Sequence, residues 1–443
     1  MNKNKLIFAI IWIIVLIFLL FLVYTLNKNA DPNTKKNIKS SLVIWILQDD
    51  SNKFSSYLEE FKKTNEIYKN ITFSVVSFDS YYEYFNSLVW AFLKWTTPDI
   101  FVLNNNDSNF FVDQTYPLDS TIINPDDFRK DYDVIFSNSL IKSIDSDWKK
   151  IEYLDWVPIW YELLWMFYNF RDLKWKKLKT WSYINDIVSN IKQEWWLSTI
   201  WIWNGTTVFW VEDIITQFFL LDNISWIDSR NSNSIKSSLA TYMNFWEWNN
   251  NYNSFSDDLL STSRNNLDLF SRGDIQIVLG YPRILEEIDK KWFNKTFLRA
   301  EPFPTYWENK WKILINYNYF VINKNTIDLN LSLELMKYFY SVEWQKKYLE
   351  IFPYYFPSKL SLLDERLDEN LKEWYTIKYK DFYNSSLELA SFNKKYRSLY
   401  DKEIINILDN NTNYLYLFEN FRKRLLCLSN KMITWENISV SCN

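Results

Sequence analysis

The chain has 443 residues but no histidine, only three glycines and only two cysteines. Without histidine there is no imidazole base and no imidazole metal ligand, which removes the commonest acid–base chemistry near neutral pH. Two thiols, Cys427 and Cys442, cannot complete a four-ligand zinc site alone. They either bridge in an oxidising compartment or stay free. Excess positive charge is absent too. With 50 Lys and Arg against 54 Asp and Glu, the net charge is −4, so nothing favours a nucleic-acid partner. No phosphate-cradling G-x-x-x-x-G-K-[ST] loop and no G-x-S-x-G elbow occurs, even with every tryptophan read as glycine. The glycine-rich stretch 201–205 lacks the third glycine and distal acid of a dinucleotide site. No cofactor is expected.

The glycine shortage is the most informative absence. At a usual share of about 7%, a chain of this length holds roughly 31 glycines. This one has 24 tryptophans, and Trp and Gly together number 27. The segment FLKWTTPDIFVLNNND, residues 92 to 107, shows where the indoles fall. It reads as a helix end, a turn, an apolar strand and a polar loop. After Lys94 the backbone wants a left-handed residue, which is glycine's usual place, and Trp95 stands there. Asp147-Trp148-Lys149 reads as a hairpin turn if 148 is glycine. Trp201-Ile-Trp203-Asn-Gly205 reads as a glycine-rich loop, and Trp246-Glu-Trp248 as a helix stop. Trp45 differs, because it lies inside the strand Leu42–Ile46, where an aromatic fits a pleated surface. Most tryptophans are therefore expected to stand for glycine. Some bacterial lineages read UGA as glycine where other translation tables read tryptophan, and the richness in Asn, Lys, Ile, Tyr and Phe fits an AT-rich gene. The alternative is a Trp-rich, sugar-stacking protein that turns a long fold with three glycines.

At the N-terminus, MNKNK precedes the apolar run Leu6–Leu26, long enough to span a bilayer as a helix. It exceeds a typical signal-peptide core, and no small-residue cleavage site follows, so an uncleaved anchor over 1–26 is expected, with a cleaved signal as the alternative. Lysines on both sides leave its orientation unspecified by charge. Residues 27–40 are polar and read as a tether.

From residue 41 strands and helices alternate. Leu42–Leu47, Ile71–Val76 and Ile100–Leu103 are separated by helical patterns at Ser51–Lys63 and Tyr81–Leu93, which predicts a parallel α/β sheet. Ligands gather at the carboxyl ends of such strands. Further helical patterns cover Ser182–Ile191, Val211–Leu221, Ser234–Phe245, Ser256–Phe270, Leu331–Tyr348 and Lys402–Leu426. Strand patterns cover Ile275–Leu279 and Ile313–Ile322.

Ordered motifs run along this frame. They are Leu42-Val-Ile-Trp-Ile46 with Gln48-Asp49, then Trp95-Thr-Thr-Pro-Asp-Ile100, then Val157-Pro-Ile-Trp-Tyr-Glu162 with Phe167-Tyr-Asn-Phe-Arg-Asp172. Phe270-Ser-Arg-Gly-Asp-Ile-Gln-Ile-Val-Leu-Gly280 follows, then Pro302 and Pro304 ahead of Ile313–Asn323, and Ser341-Val-Glu-Trp-Gln345. As an ordered set they resemble the extracellular solute-binding proteins of ABC importers, in particular the carbohydrate-binding, maltose-binding-like group. The resemblance spans roughly residues 41 to 360, and two of its motifs need glycine at 95 and 344.

The resemblance implies an α/β, two-lobed periplasmic-binding-protein fold of type II kind with hinge-crossing strands. It places 41–158 and 322–360 in lobe 1 and 159–321 in lobe 2, with 361–443 as a helical segment packing on both. It implies a non-catalytic monomer that binds a sugar or other small solute, delivers it to an ABC permease with a separate ATPase, and is held to the membrane by its N-terminal helix. Ligand contacts are expected from Asp49, Asn106 and Glu162, from Asn204 and Thr206, and from Tyr281 and Tyr319. Thr206 could equally cap a helix, and Glu162 could equally serve as a hinge hydrogen bond. The sugar-stacking aromatic of the family is replaced after Gly280 by Tyr281-Pro282, so maltose is not implied. Two other readings stay open: a membrane-tethered glycoside hydrolase using paired carboxylates, and a surface adhesion or scaffold protein.

Overall fold

A computed structural model describes residues 41–47, 51–173, 198–200, 208–224, 233–242, 265–304, 311–366, 387–390, 397–409 and 416–423, apart from 65, 147–148, 241, 292 and 352–353. The apolar run Leu6–Leu26, the helical patterns at Ser182–Ile191 and most of Ser256–Phe270, Cys427 and Cys442 lie outside the described residues. Among the described residues no helix is long and apolar enough to cross a membrane.

The first sheet follows from residue alternation. In β1 (Ser41–Leu47) Leu42, Ile44 and Ile46 are buried. Trp45 points to the other face, against Phe78 with ring centroids 5.1 Å apart. Helix α1 (Ser51–Thr64) buries Phe54, Leu58 and Phe61, one stripe at helical spacing. It leads to β2 (Thr72–Phe78), parallel to β1. Helix α2 (Tyr81–Lys94) starts on Ser80, whose side chain accepts from Glu83 N–H, and buries Tyr84, Leu88 and Ala91. Strand β3 (Ile100–Asn104) then pairs parallel on the other side of β1.

Helix α2 ends as its sequence demands. Trp95 has φ 59° and ψ 30°, the left-handed region, and its N–H returns to the Ala91 carbonyl. Its indole is 85% exposed. A residue with a Cβ pays about 1–2 kcal/mol for this conformation. Trp95→Gly is therefore expected to stabilise the fold by about 1 kcal/mol in denaturant melts; a loss of stability would show that the indole contributes packing instead.

The chain continues through α3 (Pro125–Asp131) and α4 (Val134–Leu140) into a separate hairpin, β4 (Ile141–Ser146) with β5 (Lys149–Leu154). Ser146 pairs with Lys149; the turn expected at Asp147-Trp148 falls on residues outside the described set. Strand β6 (Val157–Leu163) joins the first sheet, and after Leu164 the same run enters a second sheet as β7 (Trp165–Asn169).

That second sheet adds β8 (Ser198–Ile200), β9 (Ile275–Gly280) and β10 (Leu298–Pro302) in the order β10-β7-β9-β8. Helix α5 (Val211–Leu221) lies beside it, and α6 (Asn266–Arg272) ends on Gly273 at φ 84°. Strand β11 (Trp311–Asn323) brings the chain back to the first sheet. Gln217 of α5 holds it early, accepting from Leu314 N–H and donating to the Lys312 carbonyl, both at 2.6 Å. Further on it lies between β6 and β3. The mainly parallel sheet of the sequence reading is thus completed by antiparallel partners.

The pattern Leu331–Tyr348 forms two helices instead of one, α7 (Leu329–Tyr340) and α8 (Val342–Ile351). Ser341 between them is extended at ψ 148°, and its hydroxyl accepts from Trp344 N–H, capping the second helix. Trp344 itself packs on Phe54, Phe339 and Tyr348 in a helical backbone, so its conformation does not require the glycine the resemblance places there. Gln345 is buried and reaches Tyr132 and the Pro158 carbonyl, tying α8 to β6. Strand β12 (Phe356–Pro357) edges the first sheet beside β6, whose order is β12-β6-β11-β3-β1-β2. In the C-terminal part, read as helical, Leu387–Ala390 is a strand on β11, while helix Arg397–Asp409 sets Tyr400 against Thr216 of α5.

Candidate ligand-binding cleft between the two sheets

Strand direction brings the chemistry together. β6 and β3 run the same way, each antiparallel to β11, so Glu162 and Asn104 lie at neighbouring carboxyl ends. In the second sheet β9 ends at Gly280, opposite Trp165, the first residue after the crossing. The carboxyl ends of β6 and β9 therefore meet where the chain passes between the sheets.

On the first-sheet side, Asn104 is the centre of a buried amide cluster. Its Nδ2 donates to Asn316 Oδ1 at 2.5 Å and Asn318 Oδ1 at 2.9 Å, and its Oδ1 accepts from Asn106 N–H and Nδ2. Tyr319 donates to the Asn104 carbonyl at 3.1 Å and stacks on Trp156, with centroids 4.5 Å apart and planes 5° off parallel. Burial raises the Tyr319 phenol well above its ordinary range, so it is a donor at all working pH values.

Asp155, beside this stack, is held up to about 6 by burial. A carboxyl raised in the folded state contributes stability that is complete below its unfolded value near 3.8 and is lost as pH rises through 6. Asp155→Asn is therefore expected to be nearly neutral at pH 4 and stabilising at pH 7.5, read as the change in urea midpoint; equal effects at both pH values would contradict the burial argument.

Glu162 is fully buried and sits opposite Asn316 in register. Arg283, just beyond β9 in the second sheet, places Nε 3.4 Å from Glu162 Oε1. The Arg283 guanidinium also lies 5.2 Å from the Trp210 ring and 5.7 Å from Tyr281. Tyr355, ahead of β12, stacks on Trp160 at 3.8 Å with planes 3° apart, and its phenol is raised by burial and then by the Glu162 charge. Residues two apart on a strand share a face, so Trp160 and Glu162 line one side of β6 with Asn318 and Asn316 opposite them; the register shift between Asn318 and Tyr319 puts Tyr319, on which Trp156 stacks, on the other side. The arrangement gathers a carboxylate, a guanidinium and a stacked pair of rings where the two sheets meet, with the bonded amides of Asn104, Asn316 and Asn318 beside them. Among the described residues no group of acidic or thiol side chains is placed to hold a metal ion.

The expected contact residues divide accordingly. Glu162 is at the centre and Asn106 is half-buried at the end of β3. Tyr281 is buried, with its hydroxyl donating to Asp213 Oδ2 at 2.9 Å, so its hydroxyl serves the protein rather than facing open space. Tyr319 is likewise buried. Asp49, Asn204 and Thr206 lie outside the described residues. Arg283, Tyr355, Asn104 and Asn316 were not foreseen. Arg283 left one signal, as a lone cation directly after the Tyr281-Pro282 turn where the resemblance departs from its pattern.

Solved structures share this fold. The chain matches the sugar-binding protein MalE from Xanthomonas citri with a TM-score of 0.65 at 14% identity, over 90% of this chain and 100% of that one. It matches an ABC substrate-binding protein from Listeria monocytogenes, solved with cycloalternan, with a TM-score of 0.65 at 13% identity, over 89% and 99%. It matches the GacH receptor of Streptomyces glaucescens, solved unliganded and with acarbose, with a TM-score of 0.64 at 13% identity, over 90% and 99%. No curated protein sequence matches the chain. The family model described as bacterial extracellular solute-binding protein matches residues 56–377, well over half of the length. The chain belongs to the bacterial extracellular solute-binding protein family.

Proposed function

We propose that the chain is the extracytoplasmic binding component of an ABC importer, that it takes a sugar or oligosaccharide between the two sheets, and that it presents the closed complex to a membrane permease driven by a separate ATPase. The family binds solutes without transforming them, which sets the glycosidase reading aside. The observation that carries the proposal is the reach of Arg283 from the second sheet to Glu162 in the first. A ligand in that position touches both lobes and favours the closed form by its extra contacts there, and by no more than that. A carboxylate, amides and ring faces together suit a neutral polyhydroxy ring, with hydroxyls donating to oxygen and apolar faces lying on aromatics.

In this reading the lobes form around the two sheets, and Asp49, Asn204 and Thr206 complete the site with Asn106 and Glu162. Leu6–Leu26 anchors a monomer to the membrane with 27–40 as tether, and Cys427 and Cys442 are close enough in sequence to bridge in the oxidising exterior. A thermal-shift screen across sugars, oligopeptides, polyamines and phosphate esters tests it. A ligand at a hundred times its Kd stabilises by about 2.7 kcal/mol. Sugars are expected to give the largest upward shifts; a response confined to another class would overturn the sugar assignment.

A further inference from the structure

We propose that tryptophan stands for glycine at positions 95, 160 and 210, and that the space the last two indoles fill beside Glu162 and Arg283 is the ligand cavity. The inference rests on the binding reading above and adds what occupies, and what vacates, the cleft.

Backbone geometry is the first support. Among the described residues, the side-chain-bearing positions with positive φ are Trp95 at 59°, Trp210 at 56° and Asn223 at 60°. Asparagine visits this region readily; tryptophan does not. Two of the three fall on tryptophan in a chain with three glycines.

The side chains behave no better. The Trp95 indole stands in water at the end of α2 with no packing to offset its left-handed backbone. Gly280 has the Trp210 ring pressed over it: a Cβ built there would meet the ring at 2.7 Å. Trp160 is buried at negative φ and enters the proposal through its place beside Glu162; Trp45, Trp156, Trp165 and Trp344, also at negative φ, stay outside it.

The position of the misfits gives them meaning. Trp160 covers Tyr355, and Trp210 lies under the Arg283 guanidinium. These two indoles lie beside the pair that Glu162 makes with Arg283. Removing them bares the face of Tyr355 and frees the approach to the ion pair. An exposed tyrosine ring near a carboxylate and a guanidinium makes a pocket with a stacking face and polar ends, as a sugar requires.

Two experiments decide this. Peptide mass spectrometry of the protein from its native source is expected to give glycine masses at 95, 160 and 210, and the gene to carry UGA there; tryptophan masses or UGG codons overturn the proposal. Separately, the full chain as printed is compared with its Trp160→Gly, Trp210→Gly variant by tetranitromethane nitration. Tyr355 is expected to be nitrated at least several-fold faster in the variant, with Tyr84, buried against Val102, protected in both as the sign of an intact fold. Equal nitration of Tyr355 in the two forms overturns the cavity. Maltotriose added to the variant separates the two readings: protection of Tyr355 supports a sugar in this cavity, whereas an open Tyr355 that maltotriose does not protect keeps the cavity and counts against the sugar assignment alone.

Discussion

Glu162→Gln is expected to weaken binding of the best sugar from the thermal screen by about tenfold to a hundredfold while changing the ligand-free melting temperature little. The substitution keeps the shape of the side chain and removes its charge. Hydrogen bonds to a charged group contribute about 1.5–3 kcal/mol, and that range converts to this loss of affinity. Alanine is a poorer probe, because Glu162 is fully buried and faces Arg283; removing its bulk leaves a cavity and a guanidinium that has lost its neighbour. A double-mutant cycle with Arg283→Gln separates the roles. If Glu162 acts on the ligand, its loss weakens binding in the Arg283 background as well. If it acts only as a hinge contact, the two substitutions together cost no more than one. Unchanged affinity in Glu162→Gln would remove this residue from the site.

Asp99→Ala is expected to destabilise the fold by about 3–5 kcal/mol, a large part of the total stability of an ordinary protein. Asp99 is buried at the start of β3. Its Oδ2 accepts from Val43 N–H of β1 at 2.8 Å, and its Oδ1 accepts from Ile327 N–H at 2.9 Å and the Thr326 hydroxyl at 2.8 Å. One carboxylate thus ties two strands of the first sheet to the turn that follows β11. Alanine strands two backbone donors out of water, and each costs about 1–3 kcal/mol. Asp99→Asn, which keeps one acceptor, should lose about half as much. Urea midpoints measure both; an alanine variant within 1 kcal/mol of the parent would show that water replaces the carboxylate.

These residues also show which features sequence reading reaches. Pro98-Asp99 and Gln345 were picked out as motif letters, and each proves to be a joint between distant segments, Asp99 with Val43 and Ile327, Gln345 with Tyr132 and Pro158. Val211–Leu221 was legible because its apolar stripe repeats at helical spacing. Ser341 was missed as a break because Leu331–Tyr348 keeps that spacing across it, and only the serine hydroxyl capping the second helix reveals the interruption. The two-residue strand Phe356–Pro357 carries no periodicity to detect. In the site, Glu162 was legible from its motif, but Arg283 was not. Its meaning depends on a partner 121 positions away, brought near by two sheet crossings rather than by any local pattern. Tyr319 was read as a ligand contact from its strand, and the structure covers it with Trp156.

Small-angle scattering during titration with the sugar chosen by the thermal screen tests the clamp most directly. The account predicts a saturable fall in radius of gyration whose midpoint matches the calorimetric Kd and moves to higher concentration in Glu162→Gln. Saturation at constant radius, with the midpoint indifferent to Glu162, would contradict it.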